Sequence, residues 1–357
     1  GLLIFLIIPI ASPCLQEQLR RGHIHHDQAV APPLLSCVSL RTYAKRIYQV
    51  YGVKLSNARP CTVSIMNNMT GVADLHCHSR YSDGTLAVAD LMSLAHSRGV
   101  RLIALTDHDE LGGVAGPRGY AQGFGMQFVS GVEISSEWQG VSVHIVGLRI
   151  DEKHPALQQS LSQIREQRGE RARRMDAAFA AIGIVDVLAG AAAYAPNPDL
   201  ISRTHFARHL IDRGVCGSMG EVFARFMKPG KPGYVKQQWL PMAEAIAVIR
   251  AAGGRAVLAH PGRYEVDQHG GANGLLKAFA DAGGEAVEVV CAAHHPPEWA
   301  QYAALSRKFN LLASIGSDFH SPSESRVRFG DLPRLSPTLK PVWHDWPESE
   351  VLHAQPA

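Results

Sequence analysis

From residue 72 onward the apolar positions fall into two alternating periods. Val88, Leu91, Met92 and Ala95 stand at i, i+3, i+4 and i+7, the spacing of a helix with one buried face, and Gly99 occupies the place of a C-terminal cap. The mostly apolar run 100–106 then predicts a buried strand, followed by Asp107-His108-Asp109. The same order recurs. Met242, Ala245, Ile246 and Ile249 predict a helix, Gly253-Gly254 stop it, and residues 256–259 predict a strand ending in His260-Pro261. A helix to Ala282, the stop Gly283-Gly284 and a strand over 285–290 come next. A last helix over 298–309 leads to a strand over 311–316, with Asp318 and His320 just beyond it.

Helix, glycine stop, short apolar strand and polar strand end are the units of a parallel β/α barrel, so the chain reads as α/β. In such barrels side chains from different strands converge at the strands' C-terminal ends, which is where the polar residues of this chain fall. Between about 156 and 239 the pattern is helix without strand. Leu157, Leu161 and Ile164 begin an apolar stripe, Arg165, Arg168, Arg171, Arg173 and Arg174 make that helix basic, and residues 190–199 read as a loop rich in Ala and Pro. A further helix starts near Ile201, and residues 228–234 form a turn-rich excursion. This segment is expected to be a helical insertion that caps the active face. The barrel is thus assigned to 71–155 and 240–335, the insertion to 156–239, and a C-terminal tail to 336–357.

Residues 1–70 read differently. The apolar run 2–9 is too short for a membrane span, which needs about 20 residues, and it lacks a basic flank for secretion. Met66 and Met69 directly precede the first convincing strand, so translation is expected to start there, with a genuine targeting extension as the alternative. Length is compatible with a barrel of about 250 residues plus additions. The net charge of +3 suits an anionic substrate without requiring nucleic acid. Six cysteines lack framework spacing and a Cys-x-x-Cys, which points to a reducing cytoplasm and away from disulfide or redox chemistry. No membrane association and no obligatory protein partner are expected.

Candidate chemistry starts at Asp74-Leu-His-Cys-His-Ser79. On an extended strand His76 and His78 point to one face and can share a divalent cation. Asp83 adds a carboxylate on the following turn. The other polar groups at or near strand ends are His108, Glu133, His144, His260, Asp318 and His320. Taken singly, His144 also reads as a satisfied core histidine and Glu133 as a buried carboxylate paired with an arginine. Asp107 and Asp109 read as supporting or capping groups. Jointly, so many polar groups in one apolar barrel mouth need metal ions or partners to offset their desolvation. The mixture of imidazole and carboxylate suits Mn, Zn or Fe. No Walker-type loop is present, which argues against ATP-driven chemistry.

These residues carry a resemblance. Asp74-Leu-His-Cys-His-Ser79, Ser82-Asp-Gly84, Thr106-Asp-His108, Gly131-Val-Glu133, Ala259-His-Pro-Gly262 and Gly316-Ser-Asp-Phe-His320 resemble, in order, the motifs of the PHP (polymerase and histidinol phosphatase) family. The resemblance covers about residues 72–330. It implies a distorted seven-stranded β/α barrel, the PHP barrel, whose metal cluster hydrolyses phosphate esters. It also implies two or three divalent ions, with Mn the expected occupant and Zn or Fe the alternatives. His76, His78, Glu133 and Asp318 would hold the first ion; Glu133, His144 and His260 the second; Asp83, His108 and His320 the third. Cys291 is not expected to be a ligand, since His260 fills that role.

Substrate choice is expected in the insertion. Arg203-Thr-His205 resembles a phosphate-binding segment of the branch that removes the 3′-phosphate from nucleoside 3′,5′-bisphosphates, and the 228–234 turn and Arg263-Tyr264 are similar to it too. The resemblance therefore implies a metal-dependent phosphatase that uses metal-activated water. Arg203 and His205 are its candidate catalytic groups, and Arg203, His205 and Arg263 its substrate contacts. A guanidinium fork pairs well with phosphate oxygens. The alternatives are a 5′→3′ exoribonuclease on short 5′-phosphorylated RNA, a noncatalytic PHP binding module, and a histidinol phosphate phosphatase. Nucleotide or short RNA is the expected binding partner.

Overall fold

The computed structural model describes residues 73–352. The proposed start at Met66 or Met69 and the apolar run before it lie outside these residues. Seven strands follow one another around a nearly closed sheet: β1 (Ala73–Asp74), β2 (Leu102–Leu105), β3 (Gln127–Trp138), β4 (Val141–Leu148), β6 (Arg255–Leu258), β7 (Ala286–Cys291) and β8 (Leu312–Gly316). The short β5 (Leu240–Pro241) pairs beside β3. The first and last strands approach each other through Leu75 N–H donating to Ile315 O and a bridge between Cys77 and Phe319.

The glycine stops act as the periodicity predicts. Helix α1 (Val88–Ser97) buries Val88, Leu91, Met92 and Ala95, and Gly99 follows at φ 78°. After α2 (Pro117–Gly123) and the helical segment described below, α7 (Met242–Ala251) buries Met242, Ala245, Ile246 and Ile249 before Gly253 turns the chain at φ 74°. Helices α8 (Gly271–Asp281) and α9 (Pro296–Lys308) complete the outer layer.

One expectation needs correction: the sheet is not wholly parallel. β3 and β4 form an antiparallel hairpin in register Trp138 to Val141, and β4 is antiparallel to β6 as well. The cause is local. Gln139 and Gly140 both adopt positive φ, 50° and 80°, the two-residue turn whose twist matches a hairpin. This reversal brings the N-terminal half of β4 to the end of the barrel where β3 finishes. His144 therefore reaches the site from within a strand, and Glu133 likewise lies inside β3.

The segment between the barrel halves holds α3 (Pro155–Ala180), α4 (Val187–Ala192), α5 (Arg203–Asp212) and α6 (Met219–Val222). Residues 190–199, read as loop, begin inside α4, because Val187 and Ala191 bury against a second apolar cluster. At 26 residues, α3 spans about 39 Å. Its Leu157, Leu161 and Ile164 join the barrel core, whereas Met175 and Phe179 join Phe206, Leu210 and Val222 in the second cluster. One helix thus carries both cores. Arg168 fastens it: its guanidinium donates to Asp109 Oδ2 at 2.7 Å and to Ser135 Oγ at 2.8 Å, all three groups being buried. Only Arg173 and Arg174 of the basic run face solvent, where they pair with Glu170. Residues 336–352, read as a tail, pack on the barrel instead. Val342 N–H donates to Ala313 O, and Leu339, Val342 and Trp346 are buried in the main core.

Candidate metal centre

The site forms where β1 continues past Asp74. His76 and His78 point inward and Cys77 between them packs into the core, the alternation of an extended segment. Two glycines permit the approach. A Cβ on Gly316 would lie 2.2 Å from His76 Cβ, and one on Gly84 would lie 2.4 Å from His78 O. Asp109, His260 and Asp318 hold positive φ of 51°, 26° and 50°, so non-glycine strain gathers around these residues.

Glu133 is the hub. Its Oε1 lies 2.8 Å from His144 Nδ1 and 2.9 Å from His260 Nε2. Its Oε2 lies 2.9 Å from His108 Nδ1 and 3.3 Å from Nε2 of both His76 and His78. The carboxylate is fully buried. His76 and His78 also face each other at 3.1 Å and approach Asp318 Oδ1 at 3.5 and 3.2 Å. Four ligands about 2.0–2.2 Å from one ion in a tetrahedron would be about 3.3–3.6 Å apart. The separations among His76, His78, Glu133 and Asp318 approximate that figure, so this donor set fits a divalent cation.

Three groups of donors come together: His76, His78, Glu133 and Asp318; His78, Asp83, His108 and His320; and His108, Glu133 and His144. The first coincides with the set expected for the first ion. The second contains Asp83, His108 and His320, with His320 Nε2 and His108 Nε2 at 3.2 and 3.8 Å from Asp83 Oδ1, and adds His78. Glu133 Oε1 touches both His144 and His260, the residues expected with it for the second ion. His260 itself stands outside the three groups, where His108 joins Glu133 and His144. Asp83 Oδ1, His108 Nδ1 and Glu133 Oε2 are buried without a hydrogen bond. Such orphaned groups are costly, and cations among them would satisfy all three.

Electrostatics keep the carboxylates ionised. Burial opposes charge on Glu133, Asp83 and Asp318, but the imidazoles around each outweigh it, as does Arg263 at Asp318, and all three carboxyls are held well below their usual range. Burial likewise opposes the charge of His78, yet Asp318 and Glu133 raise it to about 10. Burial, then Arg263, pushes His260 down to about 4, leaving it neutral, the ligating form.

The other face of several imidazoles is fixed as well. His76 Nδ1 lies 2.7 Å from Glu288 Oε1, His320 Nδ1 lies 2.8 Å from Asp318 O, and His260 Nδ1 lies 3.1 Å from the Tyr264 hydroxyl. These contacts place Nδ1–H of His76 and His320 on their acceptors and leave Nε2 lone pairs facing the centre. Glu288 also accepts from His260 N–H at 2.6 Å. Sequence reading missed Glu288. Its signal was a single carboxylate inside an apolar strand. Asp107 accepts from Ser79 and Ser82 and Asp109 from Ser135 and Arg168, so both support the site from behind. Cys291 is buried and free, and it belongs to none of the three donor groups.

The candidate substrate residues lie around this centre in different ways. Arg263 donates to Asp318 Oδ2 at 2.5 Å and is half-exposed at the rim. Arg203 stacks over Phe223 at 5.6 Å. His205 is fully buried and closes the N-terminus of α5: its Nδ1 accepts from Ser202 N–H at 3.1 Å, while its Nε2 has no partner. Arg208, not foreseen, donates to Asp83 O and to Glu324, tying α5 to the barrel. A cavity of about 410 Å³ opens beside Asp318 and His320, with Arg263, Arg326, Met219 and Phe223 among its walls. No helix among the described residues is long and apolar enough to cross a membrane.

Comparison with known proteins places this arrangement. Residues 74–194 match the PHP domain. The chain is 44% identical over 272 residues to a 3′,5′-nucleoside bisphosphate phosphatase of Chromobacterium violaceum, covering 76% of this chain and 95% of that protein. It is 38% identical to the 5′-3′ exoribonuclease Rnm of Escherichia coli, covering 79% of this chain and 96% of the relative. A solved structure described as an amidohydrolase from Chromobacterium violaceum, with sulfate and no metal, superposes with a TM-score of 0.74 at 42% identity over 80% of this chain and 99% of that one. The chain therefore belongs to the PHP family of metal-dependent phosphoesterases.

Proposed function

We propose that this chain removes the 3′-phosphate of nucleoside 3′,5′-bisphosphates, with water as nucleophile and Mn as the resident ion, Zn or Fe being the alternatives. The observation that carries this reading is the 44% identity along nearly the whole length of a relative with that activity in its name. Nine residues are assigned to the metals: His76, His78, Asp83, His108, Glu133, His144, His260, Asp318 and His320. Divalent ions held among them would neutralise phosphoryl oxygens and lower the pKa of bound water.

The chain's own groups supply the rest. Glu288, Tyr264 and the Asp318 carbonyl hold imidazoles in register. Arg263 stands beside Asp318, where a phosphoryl oxygen can take one of its N–H groups. His205 accepts at Nδ1, so Nε2 carries its proton and is a ready donor. Met219 and Phe223 offer an apolar wall to a nucleoside. In this reading residues 156–239 form an insertion that caps the site. The buried free thiols Cys77, Cys216 and Cys291 suit a reducing compartment, and the cytoplasm is the proposed location.

The second reading is 5′→3′ cleavage of short 5′-phosphorylated RNA, favoured by relatives at 37% and 38% identity with exoribonuclease names. Turnover of a bisphosphate and of a 5′-phosphorylated oligoribonucleotide, measured side by side with Mn, separates the two. A higher kcat/KM on the bisphosphate is expected. No phosphate release from it, with mononucleotides released from the oligomer, would transfer the assignment to the ribonuclease.

A further inference from the structure

Helix α5 belongs to the segment between the barrel halves, yet Arg208 within it and Ser202 at its cap both end on the donor Asp83. Arg208 is only 7% exposed, and its guanidinium donates to the Asp83 carbonyl at 2.8 Å. Glu324 holds that guanidinium from the other side, accepting at 2.9 and 2.6 Å. The Ser202 hydroxyl caps α5 by accepting from Thr204 N–H at 3.2 Å, and its own proton goes to Asp83 Oδ2 at 3.4 Å. The two carboxylate oxygens of Asp83 are therefore unequal. Oδ2 faces α5, whereas Oδ1 has no hydrogen bond and faces His320 and His108 at 3.2 and 3.8 Å. Asp83 lies in neither helix nor strand but in a tight turn closed by Gly84 N–H on Ser79 O, so α5 supplies restraint that its own backbone lacks.

We propose that Arg208 and Ser202 are positioning residues for Asp83, and that through them the helical segment sets how tightly the donor group of His78, Asp83, His108 and His320 retains its ion. An arginine that only fastened two layers would be satisfied by Glu324. A buried N–H given to the backbone carbonyl of a metal donor fixes that donor as well. The group of His76, His78, Glu133 and Asp318 receives no hydrogen bond from α5 among the described residues, so a looser α5 releases one ion and keeps the others. Arg203 and His205 stand on the first turn of the same helix. Substrate contact and ion retention thus meet on one element, and the ion beside Asp83 is held fully only when that element is docked. The inference rests on the phosphoesterase reading for what the ions do, but not for whether they bind.

The test loads the full-length protein with Mn, desalts it and counts the ions by mass spectrometry, alongside calorimetric titration of stripped protein with Mn. Arg208→Met is expected to lose one ion more than the wild type on desalting. Its weakest Mn-binding step should weaken by about 10- to 100-fold, the usual effect of losing a contact that supports a ligand, while the tighter steps stay within about twofold. Arg208→Lys, which keeps a charged donor for the Asp83 carbonyl, should recover part of that affinity. Ser202→Ala should shift the same step by a smaller factor. It leaves the Arg208 and Glu324 pair intact, so it decides the matter even if Arg208→Met fails to fold. Wild-type ion counts and titrations in the variants would overturn the proposal. So would equal weakening of every step together with a lower Tm, the behaviour of a contact that only fastens the fold. If the wild type binds Mn but hydrolyses no phosphate ester, the phosphoesterase reading fails, and the ion counts still decide the role of Arg208.

Discussion

Replacing Glu133 with Gln is expected to lower kcat/KM by about a thousandfold and to reduce the metal content of the purified protein. The neutral amide keeps the shape of the side chain and removes the charge. Among the described residues Glu133 is the one group in contact with His76, His78, His108, His144 and His260, so its replacement touches five donors at once. Losing about 4 kcal/mol of charge stabilisation at a metal site corresponds to that factor. The folded state should persist, since the amide can still accept from one imidazole. Metal analysis by mass spectrometry alongside kinetics checks this. Full metal content with full activity in Glu133→Gln would remove Glu133 from the centre.

Glu288→Gln is expected to act differently, by loosening the grip on metal without removing a ligand. Both carboxylate oxygens accept, one from His76 Nδ1–H and one from His260 N–H. An amide offers one acceptor and turns an NH2 toward the other donor. The cost falls on the orientation of two imidazoles, and loss of such a supporting contact typically weakens metal binding by about 10- to 100-fold. The Mn concentration for half-maximal activity should rise by that factor, while kcat at saturating Mn returns close to the wild-type value. A Mn response identical to wild type would show that Glu288 is not a positioning residue for the site. A lower kcat that excess Mn leaves uncorrected would place it in closer contact with the reaction.

The helices were legible because their apolar stripes obey one period and end in glycines with positive φ, as at Gly99 and Gly253. The donors His108, His260, Asp318 and His320 were legible because polar groups just past the ends of apolar strands have few other reasons to be there, whereas Glu133 and His144 lie inside strands. What escaped depended on contacts between residues distant in sequence. The antiparallel turn at Gln139-Gly140 was written in the sequence, but the barrel grammar around it suggested parallel strands. Glu288 carried only a faint signal, since its two partners lie on other strands. Arg168 and Arg171 read as part of one basic run with Arg173 and Arg174, and only the packing of α3 against Asp109 and Trp239 separates the two pairs. His205 looked purely functional, yet half of its imidazole is spent on the first turn of α5.

The central reaction proposed is hydrolysis of the 3′-phosphate ester of a nucleoside 3′,5′-bisphosphate by this donor cluster loaded with divalent ions. Its most direct test measures inorganic phosphate released from a nucleoside 3′,5′-bisphosphate by chelator-stripped protein before and after Mn is returned. Release that is absent in stripped protein and restored by Mn is the predicted result. Equal release with and without the ion, or none in either state, would contradict the account.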